Sequence, residues 1–183
     1  SLVPFEGLVV PGMLPEVDIS VCGPLARSAA DLDLALSVLA GPTGMNSTGY
    51  QVALPEARQT RLSEFKVAVM LDTPVIENDS VMLDQLQNAV DALAAAGCVV
   101  EKATPQIDQH EYFENYLMLL RAATGAQSND EVFAAALEGS TAWDGGDRGY
   151  QALVDHAMTM SHREWFQHHN RREGYRNTWA EFF

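Results

Sequence analysis

A strand followed by a helix and a second strand, in the middle of this 183-residue chain, places the strongest constraint on its fold. Residues 66–71 (Lys-Val-Ala-Val-Met-Leu) are apolar on both alternating faces, a pattern typical of a strand buried on both sides in a parallel sheet. Next comes a predicted helix, which Asp79 or Ser80 caps at its start and which ends at Gly97. Residues 98–103 are predicted to form the second strand. This order predicts a parallel βαβ unit with a right-handed crossover. The residues predicted to be buried together are Val67, Val69, Leu86, Val90, Leu93 and Val99.

A helix is also predicted over residues 28–40. Ser28 is a suitable N-cap, and Asp31 lies three residues later in the capping-box position. Gly41 suits the left-handed conformation that ends many helices, and Pro42 prevents the helix from continuing. Apolar residues occupy almost every side of this helix, so we expect other parts of the protein to cover it.

The remaining chain is predicted to contain a surface connection and then mainly helices. Residues 42–64 are rich in Gly, Pro, Thr and Ser, which is typical of a connection. Residues 110–125 carry aromatic and aliphatic side chains at helical spacing, and a capping box at residues 128–131 opens a short helix that reaches Leu137. Residues 139–149 hold four glycines and are predicted to be mobile, and a long helical stretch follows.

Composition excludes several classes of partner. Residues 1–149 hold 21 acidic and 7 basic side chains, which accounts for the whole net charge of −14, whereas residues 150–183 hold 4 of each. Such a surface repels a phosphate backbone, so no nucleic-acid partner is expected. No apolar run reaches the roughly 20 residues of a membrane span. Cys22 and Cys98 have no metal or redox spacing and are predicted to be buried thiols in a reducing cytoplasm.

Four histidines crowd the last third of the chain, at His156, His162, His168 and His169. Two ligands on one helix need a spacing of four residues, but these spacings are six, six and one. We therefore predict a solvated helix face rather than a metal site, and no cofactor is expected.

The turn over residues 23–28 reads Gly-Pro-Leu-Ala-Arg-Ser, and the helix that follows it ends at Ala-Gly-Pro. This combination resembles a signature of the amidase signature family of serine hydrolases. The likeness continues in four short segments: a strand at 65–69, Ala-Ala-Gly at 95–97, Val-Val-Glu at 99–101 and Trp-Ala-Glu-Phe-Phe at 179–183. The motif residues expected to be structural are Gly23, Pro24, Arg27 and Ser28, and Arg27 is expected to bridge to an acidic side chain or to carbonyls rather than to bind a substrate carboxylate.

The resemblance implies amide hydrolysis by a serine nucleophile, a second serine in a cis peptide and a lysine base, within a Gly/Ser-rich stretch. The two lysines, Lys66 and Lys102, match none of those positions, and the single Gly-Gly pair is followed by Asp147. No catalytic residue is therefore assigned. We expect the nucleophile to lie upstream, the chain to be a distal part of a longer enzyme, and the isolated chain to be inactive.

Trp143, Tyr150 and Trp165 are the residues predicted to line a substrate pocket, because the family's segment after the second strand often shapes the pocket. Packing in the core is the alternative for each of them.

The predicted fold class is α/β: part of a mixed sheet with flanking helices that includes the βαβ unit, followed by a mainly helical segment. We expect one incomplete domain, with a turn, a helix and a connection over 1–64, the βαβ unit over 65–105 and helices over 106–183.

Three functions stay open: part of an amide hydrolase, part of a glutamine-dependent amidotransferase A subunit, or a noncatalytic α/β interaction domain. The expected partners are a small-molecule amide and, through exposed apolar surface, a second copy; no membrane partner is expected.

Overall fold

The computed structural model of the chain describes residues 2–5 and 19–183. It divides into two compact units, Ser1–Glu56 and Ala57–Phe183. Residues 6–18 belong to the predicted segment 1–64 and lie outside the described residues.

The first unit contains helix α1 (Ala29–Leu39) and a short 3-10 turn (Gly44–Thr48). The predicted cap is confirmed, because the Ser28 hydroxyl oxygen accepts a hydrogen bond from the Asp31 N–H at 3.1 Å. Gly41 follows the helix with φ +147°, a conformation that glycine adopts more readily than residues with a Cβ. The Gly41 N–H donates to the Leu2 carbonyl at 3.0 Å, which ties the end of α1 to the start of the chain.

The expected cover of α1 is not found among the described residues. None of its residues is buried, and its apolar side chains stay largely in solvent, with Val38 75% exposed. We expected cover because α1 is apolar almost all round. The other described segments of this unit are few and short, and they are too small to enclose the helix.

The second unit begins with the predicted βαβ unit, which is confirmed as parallel. Strand β1 (Lys66–Val69) pairs with strand β2 (Val99–Lys102), and helix α2 (Ser80–Ala95) connects them. The Asp79 carboxylate caps α2 by accepting the N–H groups of the first turn, at 2.9 and 3.1 Å. A short 3-10 turn (Leu62–Glu64) precedes β1. Cys98, just before β2, is buried, and its Sγ lies 3.0 Å from the Leu62 carbonyl oxygen, whereas Cys22 is only half-buried.

The prediction that these strands are buried on both faces is wrong for the described chain. The residues of β1 alternate between exposed and half-buried, and in β2 only Val100 is half-buried. Leu86 and Val99, predicted core members, are 41% and 46% exposed. The described sheet has two strands, and α2 packs on one face. The other face borders an open space of about 280 Å³ that Phe182 and Phe183 also line, so no second layer is packed against it.

Four helices complete the second unit: α3 (Gln109–Gly125), α4 (Asp130–Ala142), α5 (Tyr150–Thr159) and α6 (His162–Phe182). The predicted helices exist, with three corrections. Asn129 rather than Ser128 caps α4, and α4 continues past Leu137, so residues 139–142 are helical. The predicted long final helix is two helices, because Ser161 starts α6 by accepting the Glu164 N–H at 3.2 Å.

The core of the second unit lies between α3 and α5. Leu117 and Met118 of α3 are buried against Leu153 and Ala157 of α5, and Trp143 and Met160 pack against this cluster. No helix among the described residues is both long and apolar enough to cross a membrane.

The end of α3 approaches α5 closely through Gly125. A Cβ at this position would stand 2.6 Å from Met158 Cγ and 3.1 Å from Met158 Cα, and the second of these atoms belongs to the backbone and cannot turn aside. Gly174 of α6 is also helical, yet nothing lies within 4 Å of the place where its Cβ would be.

We expect these two helical glycines to respond in opposite directions to alanine. Gly125→Ala should lower the free energy of unfolding by about 1–3 kcal/mol, because the overpacking cost exceeds the gain in helix propensity. Gly174→Ala should raise it by about 1 kcal/mol, since only the propensity gain remains. Urea unfolding followed by circular dichroism measures both, and a stabilised Gly125→Ala would contradict the described packing of α3 on α5.

Candidate functional site

The reaction implied by the family resemblance uses a lysine as base. The two lysines of this chain lie on the exposed sheet. Lys66 is exposed at the start of β1, and Lys102 at the end of β2 has 80% of its side chain exposed. The Lys102 ammonium pairs with the Asp72 carboxylate at 3.3 Å, beside a cavity of about 460 Å³ between the sheet and α2. A lysine that acts as a base is held neutral by burial, and neither position offers such an environment.

A groove of about 410 Å³ lies between α3 and α5. Half of its lining residues are apolar or aromatic and half are ionisable, and the ionisable ones include an ion pair between Arg148 and Glu114. The residues that line it are His110, Glu111, Phe113, Glu114, Leu117, Arg148, Tyr150 and Leu153. A concavity that combines apolar walls with polar groups is the usual form of a small-molecule site.

Tyr150 holds one wall of this groove. Arg121 donates a hydrogen bond to the Tyr150 hydroxyl, and its guanidinium carbon lies 5.6 Å from the centre of the tyrosine ring. The Arg121 Nε atom is buried and has no hydrogen-bond partner among the described residues. Both contacts of Arg121 restrain the tyrosine ring, which favours a well-defined groove wall.

Trp143 lines a different and more open cavity of about 420 Å³, beside α4 and α5. Its indole N–H donates to the Asp147 carbonyl at 2.7 Å. Three carboxylates, from Asp144, Asp147 and Asp155, border the same cavity. The Asp144 and Asp147 side chains also accept the N–H groups of Gly146 and Gly149 at 2.8 and 2.7 Å, so this segment has its own turn structure.

Trp165 lines neither of these cavities. It stacks along α6 between His162 and His169, with ring centres 5.9 and 5.0 Å apart. The structure thus places the three predicted pocket residues at three separate sites, of which only the Tyr150 groove combines apolar walls with a fixed aromatic ring.

The prediction of a solvated histidine face is wrong for His156, His168 and His169, which are half-buried between or beside helices. The His169 Nδ1 lies 2.6 Å from an Arg172 nitrogen. The His156 ring lies between the Ser140 hydroxyl and the Glu164 carboxylate. No signal in the sequence could reveal this last group, because its members come from three helices separated by turns.

His168 connects α6 to α3 through a buried amide. Its Nδ1 lies 2.8 Å from the Oδ1 of Asn115, the one polar or charged residue among the described ones that is classed as buried. Burial lowers the pKa of His168 below its ordinary value of 6.5, and the nearby Arg171 adds to this shift. Glu164 and Glu114 act in the opposite direction, and their effect is smaller.

The motif residues lie in the first unit. Ser28 caps α1, as described above, and Gly23 and Arg27 are exposed while Pro24 is half-buried. No hydrogen bond or ion pair joins the Arg27 guanidinium to another described residue, so its predicted structural role stays a prediction. Among the residues that the structure describes, no three His, Cys, Asp or Glu side chains come together in a group that could hold a metal ion.

A family model described as Amidase matches residues 2–183, which is almost the whole chain. No curated protein and no solved structure matches the chain.

Acid should destabilise the second unit partly through His168. A histidine whose pKa is lowered by folding binds its proton more readily when unfolded, so stability is full above about pH 6.5 and falls as the pH drops toward the folded pKa. His168→Gln should therefore lose less stability than the parent chain between pH 7.5 and pH 5.5. Urea unfolding at several pH values measures this, with His110→Gln, at an exposed position of α3, as the control for removing a histidine elsewhere in the unit. Equal pH dependence in all three proteins would contradict the assignment.

Proposed function

Because the chain belongs to the amidase family, we propose that its enzyme hydrolyses amide carbon–nitrogen bonds by acyl transfer to a serine. The observation that carries this proposal is the family match over residues 2–183. In this reaction a serine oxygen attacks the amide carbonyl, backbone N–H groups stabilise the oxyanion, and water then releases the acyl group.

The nucleophile and base of that reaction are proposed to lie outside residues 1–183. Two features of the described chain support this. Both lysines are exposed to solvent on the sheet, and Lys102 forms an ion pair with Asp72. The ten serines of the chain include none in a Gly-Ser-Ser or Gly-Gly-Ser run. Residues 1–183 would then supply scaffold and substrate contacts rather than the reacting groups.

The groove at Tyr150 is the proposed contribution of this chain to substrate binding. Its walls of Phe113, Leu117 and Leu153 suit an apolar substituent, because burying apolar surface contributes about 25 cal/mol per Å². The Arg148 and Glu114 pair lies among the groove's lining residues, where it can meet a polar group. The substrate class that fits is a small neutral amide with an apolar or aromatic substituent.

The reaction is tested by comparing residues 1–183 with the longest product of the gene that encodes them. We expect the longer product to hydrolyse simple aryl amides, and residues 1–183 alone to show no turnover, since a serine hydrolase needs nucleophile, base and oxyanion donors within reach of one another. Release of the aryl amine, followed by absorbance, measures this. Amide turnover by residues 1–183, abolished by replacing one of their serines, would overturn the placement of the nucleophile. Absence of turnover in the longer product would overturn the proposed reaction.

The groove is tested in the longer product with a matched pair of aromatic substitutions. Tyr150→Ala should raise KM for aryl amides about tenfold, as expected for the loss of roughly 1.4 kcal/mol of binding, with a smaller change in kcat. Trp165→Ala removes a similar ring from the surface of α6 and should leave KM unchanged. Steady-state kinetics decide the matter, and equal effects of the two substitutions would argue against the groove as the substrate site.

A further inference from the structure

Ser140, His156 and Glu164 come together from three different helices. The Ser140 hydroxyl oxygen, in the last turn of α4, lies 3.4 Å from the Nδ1 of His156 in α5. The Nε2 of the same ring lies 2.5 Å from a carboxylate oxygen of Glu164, in the first turn of α6. A hydroxyl, an imidazole and a carboxylate in this order form the arrangement that activates serine nucleophiles, which is recognised by geometry rather than by sequence order.

The carboxylate decides which nitrogen of the ring carries the proton. An ionised Glu164 can only accept a hydrogen bond, so the Nε2 of His156 must be the donor. In a neutral imidazole the other nitrogen then has a free lone pair, and Nδ1 is the atom that faces Ser140. In its neutral form the ring can therefore accept the serine proton at Nδ1. The 3.4 Å separation is longer than an ideal hydrogen bond and is within the looser range of sites without substrate.

The three side chains are partly shielded from water. The exposed fractions of the His156 and Glu164 side chains are 20% and 33%, and Ser140 is half-buried. The indole of Trp143 covers one side of the imidazole, with ring centres 4.4 Å apart. Trp143 also lines the 420 Å³ cavity, which borders Asp144, Asp147 and Asp155. Gly139, the neighbour of Ser140 in α4, and Asp155, the neighbour of His156 in α5, line this cavity, so it lies beside the group of three side chains.

We propose that Ser140 is a nucleophile, activated by His156 and Glu164, that takes an acyl group from activated esters. The Ser140 oxygen forms a bond to the carbonyl carbon, and its proton passes to the Nδ1 of His156. Glu164 stabilises the resulting imidazolium through the hydrogen bond from Nε2. The tetrahedral adduct then breaks its bond to the leaving group, which departs as an aryloxide anion, and His156 returns its proton to water. The products are an ester on Ser140 and the free aryloxide.

The class of acyl donor follows from the surroundings of Ser140. The N–H groups of residues 140–142 bond to carbonyls one turn earlier in α4, and the Trp143 N–H donates to the Ser140 carbonyl at 3.2 Å. These nearby N–H groups are not free to stabilise an oxyanion. The acyl compound therefore needs a good leaving group, and an amide, whose leaving group is poor, is not cleaved. The carboxylates around the cavity favour neutral or cationic esters over anionic ones. This activity is separate from the proposed amide hydrolysis and uses different residues.

The proposal is tested by acylating residues 1–183 with p-nitrophenyl acetate and, separately, by labelling them with a fluorophosphonate. Intact-protein and peptide mass spectrometry then locate the modification. We expect one group per chain, on Ser140, with a burst of p-nitrophenolate and slow turnover afterwards. Ser140→Ala should abolish both. Ser128→Ala is the matched control, because the Ser128 hydroxyl donates only to the Gly125 carbonyl and contacts no histidine in the described chain.

Two further variants separate activation from a merely structural role. His156→Gln should lower the acylation rate about 100-fold, the usual contribution of a general base. Glu164→Gln keeps the size of the side chain and removes its charge, so it should lower the rate by a smaller factor even if His156→Gln fails to fold. Thermal melting identifies variants whose fold is changed. Labelling on another residue, no labelling above that of the unfolded chain, or the parental rate in folded Ser140→Ala or Glu164→Gln would overturn the proposal. None of these results depends on whether the longer product hydrolyses amides.

Discussion

The packing of α3 on α5 is the interaction on which the second unit depends. Leu117 and Met118 meet Leu153 and Ala157 there, and Gly125 lets the two backbones approach where any side chain would collide with Met158. Burial of apolar surface is the main favourable term in folding, and half of the eight buried apolar residues in the described chain lie at this interface. Helices α4 and α6 add to it from either side, α4 on α5 and α6 on α3.

Polar contacts between helices are arranged around that apolar core. Asn115 with His168 joins α3 to α6, and the group centred on His156 joins α4, α5 and α6. A partly buried polar group without a partner costs free energy, so each of these side chains fixes the position of the other. The same contacts that hold the helices in register place a hydroxyl, an imidazole and a carboxylate in a row, so the chemistry proposed for Ser140 arises from helix packing.

The exposed apolar surfaces of the chain have a common physical origin. Helix α1 is apolar almost all round, and the two strands carry apolar residues on both faces, yet the described residues cover neither fully. Both patterns are those of elements that pack between two layers. They agree with the proposal that further parts of the enzyme, including its reacting groups, lie outside residues 1–183.

The local elements and the family could be predicted from the sequence. Ser28, Asp79 and Gly97 marked helix ends through cap chemistry, which depends on neighbours within one turn. The order of strand, helix and strand over residues 66–103 indicated the parallel βαβ unit, because parallel strands need a crossover connection of this kind. The break between α5 and α6 has a local cause as well, the cap at Ser161. The exposure of Leu86 and the positions of Trp143, Tyr150 and Trp165 were decided only by tertiary structure. Tertiary structure alone also brought Ser140, His156 and Glu164 together. These features depend on which helix faces pack together, and residues from separate helices carry no spacing in the sequence that reveals their proximity.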